Sequence, residues 1–126
     1  MILAIDLSSD TPVYRQIVDA VRPLLVDGSL AAGDLLPPVR QLAADLGVHF
    51  NTVAEAYRLL ADEGWLELRR GRGAAVVDRQ TPPADGAALD RFSRRVRELV
   101  AEARSAGVPA ATVRAALEQV QEGLEP

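Results

Sequence analysis

Every strong cation in this chain is an arginine: the sequence has fourteen basic residues and no lysine. A guanidinium is a flat fork of N–H donors that matches two oxygens of a phosphate, or O6 and N7 of guanine, in a way an ammonium cannot. Two of these arginines stand between glycines in Arg70-Gly71-Arg72-Gly73, and Arg40 follows the run Leu36-Pro37-Pro38-Val39. The single histidine, His49, precedes Phe50-Asn51-Thr52. Other chemistries lack their residues. With no cysteine there is neither a disulfide framework nor a thiolate zinc site, and one histidine cannot build a metal cluster. Thiol catalysis lacks its nucleophile, a Ser-His-Asp arrangement would rest on this single histidine with no nucleophile-base pair evident and is not expected, and no phosphate loop carries a lysine. The expectation is a protein that is not an enzyme and needs no cofactor or metal.

The amount of charge points the other way from its type. The formal net charge is −4, which argues against a chain that coats nucleic acid by bulk electrostatics. Residues 1–78 hold seven arginines against eleven acids, and residues 79–126 hold seven against seven. Any anion-binding surface must therefore come from local placement. The 126 residues are 48% hydrophobic and 25% charged, which suits one ordinary globular domain or a smaller one with an appendage. Met1–Leu7 has no basic leader and no stretch of membrane-spanning length occurs, so the expected location is the cytoplasm, with no membrane partner.

Helical and strand periodicities say what would position these side chains. Thr11 is the expected N-cap of a first helix, with Pro12 in its first turn, where a missing N–H does no harm. Tyr14, Ile17, Val18, Val21, Leu24 and Leu25 form its apolar stripe, and Pro23 predicts a bend in the last turn before Gly28. Ala31–Pro38 is expected to be a loop. Val39, Leu42, Ala43 and Leu46 mark a short second helix ended by Gly47, and a third runs from about Asn51 to Glu63, burying Val53, Ala56, Tyr57 and Leu60. Two short helices across Gly47-Val48-His49 make a helix-turn-helix. Trp65–Arg70 and Ala74–Val77 read as strands of a hairpin whose turn is Gly71-Arg72-Gly73, a wing.

The expected class is therefore mainly α with a small β-hairpin: a winged helix-turn-helix over residues 1–77, a proline-containing linker over 78–87, and a helical tail over 88–126. Leu89, Phe92, Val96, Leu99, Val100 and Ala103 give the tail one amphipathic helix, and Val113, Leu117, Val120 and Leu124 a second. So short a hairpin cannot bury both stripes in itself. It needs either the winged helix or another copy of the chain as a partner surface.

Leu36-Pro37-Pro38-Val39-Arg40-Gln41-Leu42-Ala43, Leu46-Gly47-Val48, Asn51-Thr52-Val53, Ala56-Tyr57, Glu63-Gly64 and Arg70-Gly71-Arg72-Gly73 occur in the order seen in the DNA-binding domain of GntR-type regulators, which residues 11–77 resemble. The short helical tail resembles the YtrA-like subfamily. That resemblance implies a homodimeric repressor on an inverted-repeat operator in double-stranded DNA, of the kind that often controls transporter operons, with the tail holding the dimer through Leu89, Phe92, Val96, Leu99, Val100, Val113, Leu117 and Val120. It also implies a DNA contact for Arg40, contacts from Asn51 and Thr52 at the start of the recognition helix, and a wing tip at Arg70-Gly71-Arg72-Gly73 entering the minor groove. The chain departs from the family pattern at Pro38, where a serine is common, and at His49-Phe50, where many members carry arginine.

Each candidate has a plainer role beside it. Arg40 could pair with Asp45 or Asp62, although DNA contact is favoured, and Arg70 and Arg72 could merely solubilise a hairpin. His49 is as well suited to capping the turn as to reading a base. Phe50 could stack on a thymine methyl or pack beneath the turn, with packing the expectation, and Tyr57 belongs to the core by its spacing. Glu55 would repel phosphate unless it accepts from a cytosine amino group. A small-molecule effector would sit between winged helix and tail, yet no polar cluster there predicts one. The rival to a DNA-binding regulator is a winged helix that serves as a protein-assembly module.

Overall fold

The computed structural model describes residues 3–124. The outermost residues of the expected 1–77 domain and 88–126 tail, and the start of Met1–Leu7, lie outside the described residues. The chain forms two compact units, Met1–Thr81 and Pro82–Pro126.

In the first unit the order is α1 (Val13–Val26), β1 (Leu35–Leu36), α2 (Val39–Leu46), α3 (Phe50–Asp62), β2 (Leu66–Arg69) and β3 (Gly73–Val76). Apolar residues one helical turn apart draw the helices together. Ile17, Val18, Val21 and Leu25 of α1 meet Leu42 and Ala43 of α2 and Val53, Ala56, Tyr57 and Leu60 of α3 in one core, closed by Leu36, Leu66, Ala74 and Val76. Burying a side chain of this size contributes about 1.5–3 kcal/mol, so these positions rather than helix propensity hold the unit. No charged or polar residue among those described is buried.

The three strands form an antiparallel sheet in the order β1-β3-β2. The mainly α class with a β-hairpin stands, but the loop expected over Ala31–Pro38 contains an edge strand: Leu35 lies opposite Ala75 and Leu36 opposite Ala74. Two residues are too few to show alternation, and their partner lies far along the chain. The first helix is capped by the backbone of Pro12 rather than by the Thr11 side chain, which makes no capping bond. Gln16 instead secures the leading segment: its Oε1 accepts from Asp6 N–H at 2.8 Å, and its Nε2 donates to the Asp6 and Thr11 carbonyls at 2.9 Å each. Pro23 lies within α1, exposed, and the helix continues to Val26. The exposed side of a helix is where the donor that proline lacks is least missed.

The second unit contains α4 (Gly86–Ser105) and α5 (Ala110–Glu122). Asp85 caps α4 by accepting from Ala88 N–H at 2.6 Å, and Gly107 at φ +91° turns the chain toward α5. Neither helix has a buried residue. Their stripes instead line a groove of about 750 Å³ that includes Phe92, Val96, Leu99, Val100, Val113, Leu117 and Val120. Leu89 is exposed and outside that lining.

Candidate nucleic-acid interface

The turn between α2 and α3 sets the direction of the third helix. Gly47, at φ +71°, closes α2 in the left-handed conformation that other residues adopt only at a cost, and Val48 N–H donates back to the Ala43 carbonyl at 3.0 Å. His49 then caps α3, its Nδ1 accepting from Asn51 N–H at 3.1 Å. Capping fixes the ring, and the ring organises its neighbours. It stacks on Phe50, with centroids 4.5 Å apart and planes 27° from parallel. The Arg40 guanidinium lies 4.5 Å from the centre of the same phenyl ring.

This arrangement corrects one expectation and separates two others. Phe50 is not packed beneath the turn; it remains 37% exposed and stands outside the core that α2 and α3 build there. Arg40 is paired with neither Asp45 nor Asp62 among the described residues. Tyr57 is 1% exposed, and its hydroxyl donates to the Pro37 carbonyl at 2.7 Å. Burial raises the Tyr57 pKa above the ordinary phenol value, so the group stays a neutral donor, tying α3 to the segment that leads into α2. Asn51 is exposed and Thr52 half-buried at the start of α3, with Glu55 exposed one turn on.

The wing is held close by a glycine that nothing else could replace. Gly73 is buried at φ +79°, and a Cβ there would lie 2.2 Å from the Leu36 carbonyl oxygen and 2.9 Å from the Pro37 carbonyl carbon. Gly73 therefore serves the surface by letting β3 pass β1, whereas Arg70, Gly71 and Arg72 remain exposed at the tip. Gly71, at φ +73°, has open space around it.

Between α3, the start of α2 and the wing lies an open concavity of about 580 Å³, lined by Pro38, Val39, Arg40, Ala54, Tyr57, Arg58, Leu68, Arg69, Arg70, Gly71 and Gly73. Four of these residues are arginines and none is acidic. The nearest carboxylate partner is loose, Arg69 to Glu67 at 3.9 Å. A surface with a net charge of −4 over the whole chain thus has a local cationic trough, and such a trough suits a row of phosphates. The candidates Arg40, Arg70, Gly71 and Gly73 come together here. Arg72 does not: it lines a separate hollow beside Gln41 and Asp45. Arg58 and Arg69 escaped sequence reading. Arg58 carried a signal, since it follows Phe50 and Ala54 at two successive four-residue steps and so shares their helix face.

Two further contacts brace α3 from behind. Arg22 of α1 forks onto Glu63 at 2.5 and 3.1 Å, and this bond raises the arginine pKa. Arg79 lies 4.5 Å over the Trp65 ring and donates from Nε to the Glu63 carbonyl at 2.7 Å.

A helix-turn-helix followed by a β-hairpin wing, which pairs with a short strand that precedes the two helices, and a cationic trough between helix and wing define the winged-helix class of DNA-binding proteins. Residues 13–76 match the family described as Bacterial regulatory proteins, gntR family. The chain is 34% identical over 106 residues to the HTH-type transcriptional repressor YtrA of Bacillus subtilis, covering 84% of this chain and 82% of that protein. It belongs to the GntR family and is a DNA-binding transcriptional regulator, not an enzyme. Among solved structures it is similar to YtrA from Sulfolobus acidocaldarius, a GntR-family transcription factor, at a TM-score of 0.55 and 30% identity, covering 97% of this chain and 98% of that one. A transcriptional antiterminator from Listeria monocytogenes EGD-e shares the fold at a TM-score of 0.73 and 24% identity, covering 100% and 95% of the two chains.

Proposed function

We propose that the protein is a cytoplasmic repressor that binds an inverted-repeat operator as a homodimer. One observation carries it: the arginine-lined, carboxylate-free concavity between α3 and the wing. With α3 in the major groove, the wing reaches the neighbouring backbone, and Arg40, Arg58, Arg69 and Arg70 follow the phosphates between them. His49, Asn51 and Thr52 stand at the end of α3 where base edges are met, and Arg72 reaches the minor groove from the wing tip. No helix among the described residues is long and apolar enough to cross a membrane.

Dimerisation supplies what α4 and α5 lack. A second copy of the hairpin would cover the groove lined by Phe92, Val96, Leu99, Val100, Val113, Leu117 and Val120, which neither helix buries in itself. Leu89 extends the same stripe one turn toward the start of α4. A two-fold dimer sets two recognition helices about one duplex turn, or roughly 34 Å, apart. Repression is supported by the Bacillus subtilis relative, which is named a repressor, and follows physically from excluding polymerase at the operator.

Mapping bound sites across the genome of the source organism tests this directly. The expected result is a small set of sites sharing an inverted repeat with half-site centres about 10 base pairs apart, upstream of regulated genes. Absence of any salt-sensitive enrichment would overturn the assignment and favour an assembly module.

A further inference from the structure

We infer that Phe50 reads the 5-methyl group of thymine in the major groove, and that Arg40 and His49 hold its ring for that purpose. The inference rests on the DNA-binding role of α3 proposed above and names what its first residue recognises.

Three observations converge. Phe50 is the first residue of α3 and leaves 37% of its surface in water although the core lies next to it. Its ring is fixed by two neighbours, the His49 imidazole and the Arg40 guanidinium, each at 4.5 Å. The imidazole is itself locked, because Nδ1 is committed to Asn51 N–H. The third observation is placement. Residues 50, 54 and 58 share one helix face, and Ala54, Arg58 and Arg40 all line the concavity between helix and wing. Phe50 therefore continues the wall that Arg58 and Ala54 begin, toward the end of the helix that meets base edges.

The chemistry of the ring selects the ligand. A phenyl group neither donates nor accepts a conventional hydrogen bond, so it cannot read the donors and acceptors on base edges. The one apolar group that a base pair presents in the major groove is the thymine C5-methyl. A preordered ring also loses little side-chain entropy on contact. Arg40, resting on that ring and in no ion pair among the described residues, keeps its N–H fork for a phosphate or an adjacent guanine.

Replacing thymine by deoxyuridine deletes this methyl and leaves every hydrogen-bonding group in place. Burying one methyl changes affinity about four-fold, so the loss is about fifteen-fold when both half-sites of a symmetric operator are altered. The test begins by selecting high-affinity duplexes from a random-sequence pool with the full-length protein. Dissociation constants are then measured as each thymine pair is replaced by deoxyuridine, for wild type and Phe50→Ala. Wild type should lose about four-fold per half-site at one thymine position, and Phe50→Ala should bind the two duplexes equally while still unfolding cooperatively, its melting temperature lowered only by the loss of the ring's contacts with His49 and Arg40. Wild type indifferent to every replacement, or Phe50→Ala paying the full penalty, would overturn the role of Phe50. A pool from which no sequence is selected would instead overturn the DNA-binding assignment on which it rests.

Discussion

The two wing glycines should behave very differently when each is replaced by alanine. Gly71 and Gly73 sit at nearly the same φ, +73° and +79°, so each pays the same penalty for a side chain in the left-handed region, about 1–2 kcal/mol. Only Gly73 faces a second penalty. Its new Cβ would lie 2.2 Å from the Leu36 carbonyl oxygen, and that backbone cannot retreat easily. Leu36 is paired with Ala74, and the adjoining Pro37 carbonyl accepts from Tyr57. Forced overpacking of this kind costs about 1–3 kcal/mol, so Gly73→Ala should lose about 3 kcal/mol against about 1 for Gly71→Ala. For a unit of this size the melting temperature falls by about 4–8 °C per kcal/mol, so the expected shifts are about 12–24 °C and 4–8 °C. Thermal denaturation followed by tryptophan fluorescence is the assay, because the only tryptophan, Trp65, lies in the winged-helix unit. Equal shifts for the two variants would refute the close approach of β3 to β1.

Further outcomes follow from single contacts. Arg72→Ala should weaken operator binding in a gel shift at moderate salt with no fall in melting temperature; unchanged affinity would remove Arg72 from the interface. Tyr57→Phe leaves the Pro37 carbonyl without its donor and should cost about 1–2 kcal/mol in denaturant titration, whereas a neutral result would show that water replaces the hydroxyl. Truncation after Thr81, at the boundary between the two compact units, should leave a folded monomer by light scattering; a truncated chain that stays dimeric would place the dimer interface elsewhere.

The helices were legible because their stripes are local. Ile17, Val18, Val21 and Leu25 repeat at helical spacing and are buried, and Gly47 stops α2 where a left-handed glycine should. Elements that depend on distant partners were not legible. Leu35-Leu36 is a strand only because Ala74 and Ala75 lie across from it, and Gly73 is required by a carbonyl at Leu36 that spacing alone does not bring near. The interface was legible in part. Arg40 and Arg70 stood out through their neighbours in sequence, but Arg58 joins them through the packing of α3 against the wing. From the sequence His49 suits a cap and a base contact equally, and Phe50 is expected to pack beneath the turn. The capping role of His49 depends on an N–H two residues on, within hydrogen-bond reach of its ring, and the exposure of Phe50 on the Arg40 guanidinium and the His49 ring that flank it in space.

The central claim is that the trough between α3 and the wing neutralises DNA phosphates, and the salt dependence of duplex binding measures this most directly. Each phosphate contact contributes about 0.9 to the slope of log affinity against log salt, so losing four arginines from a dimer should flatten it by about 3.6. Arg58→Ala combined with Arg70→Ala, two lining residues per protomer, should show that flattening with the melting temperature unchanged. A variant that binds more weakly but with the wild-type slope, or binds as tightly as wild type, would contradict it.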